Sequence, residues 1–143
     1  MATVELRFSA LPEHVRTARL VAAAVARRAG VDEAVLDEVR LAVGEACSRA
    51  VGLHQLGGVT APVKVVLIEE EKQFSIEVAD EAPRSAPGAR APGTAAEDAE
   101  AEEDEMGLAV ISGLVDDVEV ITGEHGGLIR MTWPSIPAAA ELP

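Results

Sequence analysis

The sequence predicts an α/β two-layer sandwich, a mainly antiparallel sheet with helices on one face and a long disordered lid. Three observations carry this prediction. Two consecutive stretches repeat apolar residues at helical spacing, while the stretches flanking them alternate or run apolar, as strands do. A segment rich in Pro, Gly and Ala then interrupts the chain. After it the order resumes, giving strand, helix, helix, strand, strand, lid, helix, strand, strand, which suits helices layered on one side of a sheet.

Each element has a local reason. Residues 3–9 alternate, with Val4, Leu6 and Phe8 on one face of a half-buried strand. Pro12 suits the first position of a helix, because its missing N–H has no partner there anyway. Val15, Ala18, Ala22, Val25 and Ala29 form the helical stripe, and Gly30 stops it. Asp32 is a good N-cap for a second helix running to about His54, with Val35, Val39, Ala42, Val43, Ala46 and Ala50 inward. Gly57 and Gly58 end it.

Residues 62–69 form a nearly continuous apolar strand, and 74–80 alternate with Phe74, Ile76 and Val78 inward. The polar run 69–73 is their hairpin. Residues 107–114 read as a short helix and 116–121 as a strand. Gly126–Gly127 makes a turn into a last strand bearing Ile129, Met131 and Trp133 on one face. These elements make one domain over 1–134, with 83–105 a flexible acidic lid and 135–143 a frayed tail.

At 143 residues with 48% hydrophobic content, the chain can bury a packed core, although aromatics are only 2%. Lys+Arg number 12 against 25 Asp+Glu, a net charge of −13. That balance argues against nucleic acid, whose phosphates need clustered Lys and Arg, and against an anionic membrane surface. The acid is local. Residues 97–105 hold seven acids and no base, and without them −13 would fall to −6.

One cysteine, Cys47, has no partner for an internal disulfide, which fits a reducing cytoplasm. Its place in a helical run reads as a small buried residue, with a free-thiol nucleophile the alternative. There is no signal-peptide pattern and no apolar run long enough to span a membrane, so a cytoplasmic protein is expected.

Four pieces, in order, resemble the anti-sigma factor and serine-kinase branch of the GHKL (Bergerat-fold) ATPases. They are Leu6-Arg7-Phe8-Ser9-Ala10-Leu11 followed by Ala18-Arg19, and the run from Leu36 to Cys47, which resembles the helix carrying the N box. Met106 to Ile111 with Leu114 to Val118 match the second glycine box and the next strand. Gly126 to Thr132 resemble the closing strand.

The resemblance implies a general base, a Mg²⁺-ligating Asn one turn later and an adenine-reading Asp followed by glycines. Glu45 stands at the base position. Arg49, four residues on, also makes a favourable ion-pair partner for it. Arg49 falls where the Asn belongs, and a guanidinium offers no acceptor to a cation. Asp80 fits the adenine-reading position, but Ala82 and Arg84 replace the two glycines, and Asp80 equally suits capping a turn. Gly107 is the glycine that remains in the second box, one residue after the run Glu102-Glu103-Asp104-Glu105, the wrong sign for a triphosphate.

Arg19, with Arg16 a turn before it, falls where the family's first helix contacts its protein partners. The ordinary reading is a pair of solvated helix arginines. The resemblance therefore implies an anti-sigma-factor-like regulator that binds a STAS-type anti-anti-sigma factor, a sigma factor or both, and pairs as a homodimer through its sheet. On these residues ATP binding and kinase activity are weak or lost, and no cofactor is expected. Two alternatives stand beside this reading. One is an active serine kinase using ATP and Mg²⁺ with Glu45 as base. The other is a binding module whose acidic lid grips a basic protein.

Overall fold

The computed structural model describes residues 2–83 and 108–135. Strand β1 spans Ala2–Phe8, helix α1 Glu13–Ala29 and helix α2 Leu36–Gly57. Strands β2 (Val63–Glu69) and β3 (Gln73–Asp80) follow, and β4 (Asp117–Gly123) and β5 (Gly126–Pro134) close the chain. A short helix of about two turns over 108–114 precedes β4. The five strands form one sheet in the order β1-β2-β3-β5-β4, and every neighbouring pair is antiparallel. The expected architecture is thus present.

The register explains which face is buried. Leu6 pairs with Val65, Val65 with Val78, Val78 with Ile129 and Ile129 with Val120, so one row crosses all five strands. Because side chains alternate, the neighbouring rows built on Leu67, Ile76 and Met131 point the same way. Both helices cover that face, α2 against β3 and α1 against β2. Val39, Val43, Leu67, Phe74, Ile76 and Met131 are fully buried between the layers. Burying one such side chain contributes roughly 1.5–3 kcal/mol, so this face specifies the register. Trp133 joins the core with its indole N–H donating to the Leu114 carbonyl at 3.2 Å.

Both long helices end in the same way. Gly30 (φ 96°) and Gly58 (φ 64°) take the left-handed conformation at the C-caps. The next residues then bond back, Val31 N–H to the Ala26 carbonyl at 3.1 Å and Val59 N–H to the His54 carbonyl at 2.8 Å. A six-to-one bond of this type satisfies carbonyls that have no further turn to pair with.

Several boundaries move by a residue or more. Asp32 does not cap α2 directly. Its carboxylate accepts from the Ala34 N–H at 2.9 Å and starts a 3₁₀ turn, Glu33–Val35, that leads into α2 at Leu36. Helix α2 runs past His54 to Gly57, because Gly58 is the first residue to leave helical geometry. Pro12 sits just before α1 at the N-cap rather than inside it. The lid residues from 84 onward, Gly107 and the tail beyond Ser135 lie outside the described residues. No helix among the described residues is long and apolar enough to cross a membrane.

Candidate functional site

The residues singled out in the sequence fall into two places. The first is the exit of β3. Asp80 ends that strand opposite Gly127 and is buried. Its Oδ1 accepts from the Ala82 N–H at 3.1 Å, and Ala82 is buried beside it. A carboxylate that closes a turn over its own second neighbour is an Asx turn, so turn capping is realised.

Two residues missed in the sequence fix this exit. His54, from the last turns of α2, is fully buried. Its Nδ1 lies 3.0 Å from the Ala61 carbonyl, and its Nε2 lies 2.8 Å from the Glu81 amide nitrogen. A carbonyl only accepts and an amide N–H only donates. The ring is therefore neutral, with its proton on Nδ1. On the other side stands Gly126 with φ 147°, where a Cβ would lie 2.2 Å from the Asp80 carbonyl oxygen. No side chain fits there, so β5 approaches the β3 exit backbone to backbone.

The sequence did hold a signal for His54. Ala46, Ala50 and His54 recur every four residues, which places the imidazole on the buried stripe of α2. Gly126 read only as a turn residue, because its role depends on a strand far away in sequence.

The second place is an open groove of about 570 Å³ across the outer sides of α1 and α2. Arg16 and Arg19 line it from α1, and Leu41, Gly44, Glu45 and Ser48 from α2. The chain thus brings Glu45 together with Arg16 and Arg19. Asp80, Ala82 and Arg49 are not among the groove's lining residues. Glu45 and Arg49 stand one turn apart on α2, the spacing that suits an ion pair. Glu45 lines the groove beside α1, and Arg49 is not among its lining residues. Arg49 is half-buried and not without a partner.

The four arginines of α1 divide in two. Arg27 pairs with Glu33 at 3.1 Å and Arg28 with Glu69 at 2.9 Å. Arg16 and Arg19 have no ion-pair partner among the described residues. In a strongly acidic chain these two exposed cations in a groove, next to a Leu41 that is 56% exposed, form a surface of distinct chemistry.

Cys47 is fully buried, and burial pushes its thiol from 9.0 up to about 12. The thiolate is the reactive form, so this sulfur packs rather than reacts. Among the described residues no three His, Cys, Asp or Glu side chains gather to hold a metal.

Comparison with known proteins places these features. No curated protein matches the chain. Among solved structures it is similar to the RsbU and RsbW domains of Rv1364c from Mycobacterium tuberculosis, with a TM-score of 0.66 at 18% identity. That likeness covers 96% of this chain and 34% of the other, so the chain spans about a third of the protein it resembles. At this identity it shows the fold. The family model described as histidine kinase-like ATPase domain matches residues 8–133, which takes in every helix, β2, β3, β4 and most of β5. The chain belongs to the histidine kinase-like ATPase domain family.

Proposed function

We propose that this chain is an anti-sigma-factor-like regulator of bacterial transcription that works in the cytoplasm by binding proteins. Its partners in the switch are a STAS-type anti-anti-sigma factor, a sigma factor or both. The observation that carries the reading is the groove in which Arg16 and Arg19, without an ion-pair partner among the described residues, stand beside Glu45 and exposed Leu41. Exposed guanidiniums flanking an apolar side chain suit a protein surface that offers carboxylates around an apolar contact. The structural likeness to a protein with an RsbW domain supports the same reading.

ATP binding and phosphoryl transfer are weak or lost in this proposal. The donor set does not fit a magnesium–triphosphate group. Arg49 offers no oxygen to a cation, and Asp80 already spends one carboxylate oxygen on the Ala82 N–H. Ala82, with a buried methyl where the family's glycine stands, narrows the same exit.

A pull-down from native lysate, with the bound protein identified, tests the partner. Recovery of a STAS-domain protein or sigma factor by the wild-type chain and its loss with Arg19→Glu is the expected result. Retention of the same protein by that variant would remove the groove from the reading. Calorimetry with ATP and Mg²⁺ tests the rest, and micromolar, Mg²⁺-dependent binding would sink the loss of nucleotide chemistry.

One observation favours a second reading, an active kinase. Glu45 is half-buried in the same groove as both arginines, where a docked serine would meet a carboxylate. Transfer of labelled phosphate from ATP to the recovered STAS-domain protein, abolished by Glu45→Gln, would establish it. A homodimer through the sheet belongs with either reading, since Val66, Ile68 and Leu128 lie half-buried on the face away from the helices.

A further inference from the structure

Gly44 stands in the middle of α2, is buried, and has no side chain to bury. What covers it is Arg19. A Cβ placed on Gly44 would lie 2.7 Å from Arg19 Cδ, 3.4 Å from Cγ and 3.6 Å from Nε. The aliphatic stem of Arg19 therefore lies directly across the α2 backbone, in space that any other residue would fill. The other two glycines of α2 behave differently, because a Cβ on Gly52 would meet nothing within 4 Å and one on Gly57 only Val59 Cγ2 at 3.5 Å, an ordinary contact. Close packing, then, is specific to Gly44 and not a general property of glycines in this helix.

We propose that Gly44 is a positioning residue for Arg19: by leaving its Cβ space empty it seats the arginine stem across α2 and so sets where the guanidinium stands in the groove beside Glu45. This deepens the docking reading above and rests on it. The physical reason is economy of motion. An arginine free in solvent samples many rotamers, and holding it in one before the partner arrives removes ordering that binding would otherwise have to supply. Glycine is a weaker helix former than alanine. A glycine here therefore opposes helix stability and favours the seated arginine. The arginine is exposed and its stem has solvent to move into, so an added methyl would displace it rather than break the helix pair.

The test separates fold from binding. In the free wild-type protein, nuclear Overhauser contacts between the Arg19 δ-methylene and the Gly44 α-protons are expected, and their absence would overturn the proposal outright. Gly44→Ala should keep or raise the melting temperature, by about 3 °C as a helix-interior Gly→Ala change can in a domain this size. A lowered melting temperature would overturn it, because the stem would then be part of the core. Binding is read by calorimetry against the STAS-domain protein recovered in the pull-down. Arg19→Ala and Gly44→Ala should each weaken it roughly tenfold, and the double variant should be no weaker than Arg19→Ala alone, the mark of two residues acting as one. Gly52→Ala should leave binding unchanged. Additive losses, or full binding by Gly44→Ala while Arg19→Ala is impaired, overturn the positioning role and leave the docking reading intact. Full binding by Arg19→Ala overturns both.

Discussion

The Glu81 amide donates to His54 Nε2 at 2.8 Å, tying the first residue beyond β3 to the last turns of α2. The same ring donates from Nδ1 to the Ala61 carbonyl at 3.0 Å, just before β2. One buried side chain thus joins a helix end, a strand entry and a strand exit, and it holds the backbone on which Asp80 and Ala82 sit.

His54→Ala should therefore be among the most damaging single changes outside the apolar core. It leaves the Glu81 N–H and the Ala61 carbonyl without partners and opens a cavity in a fully buried position. Together these effects amount to about 3 kcal/mol or more. Urea denaturation followed by circular dichroism measures the loss. His54→Asn, which offers one donor and one acceptor on a shorter stem, should recover only part of it.

Gly126→Ala should be comparably severe for a different reason. Its Cβ would meet the Asp80 carbonyl oxygen at 2.2 Å, and that neighbour is backbone. Either β5 separates from the β3 exit or φ leaves 147°, at a cost of roughly 1–3 kcal/mol from strain alone. Gly52→Ala is the matched control. Nothing stands within 4 Å of its Cβ, so it should stabilise the helix by about 0.8–1 kcal/mol. Equal and small effects from both changes would refute the close approach of β5 to β3.

These two cases show how far the sequence could be read. Strand and helix identities came from periods of two and 3.6, and those periods are visible along the chain because the core lies on one face of each element. Gly30 and Gly58 announced their helix ends because the left-handed cap is a local demand. Gly126 and Gly44 were silent because each acts through a neighbour distant in sequence, and for His54 the helical spacing marked burial but not its partners at Ala61 and Glu81.

Cys47 gives a prediction in pH. Burial raises its thiol from 9.0 to about 12 in the folded chain. The unfolded chain thus releases the proton first as pH rises, and the folded state binds more protons between those values. Stability contributed by the buried thiol is complete below about pH 9 and declines toward pH 12. Denaturation midpoints measured from pH 8 upward should fall in the wild-type chain and fall less in Cys47→Ala. At pH 8 a thiol reagent should label the native chain only at the rate at which it opens.

The salt dependence of partner binding tests the groove from a different direction. Arg16 and Arg19 are exposed and have no ion-pair partner among the described residues, so their attraction for a carboxylate partner acts through solvent. Raising ionic strength from about 0.01 to 1 M shortens the screening length from about 30 to 3 Å, and association should slow accordingly while dissociation changes little. Arg16→Gln and Arg19→Gln should each flatten that dependence, and together they should nearly remove it. Arg27→Gln should not, because Arg27 is already held by Glu33 at the opposite end of α1. A salt dependence of the same slope in all five proteins, wild type included, would place the partner on another face of the molecule.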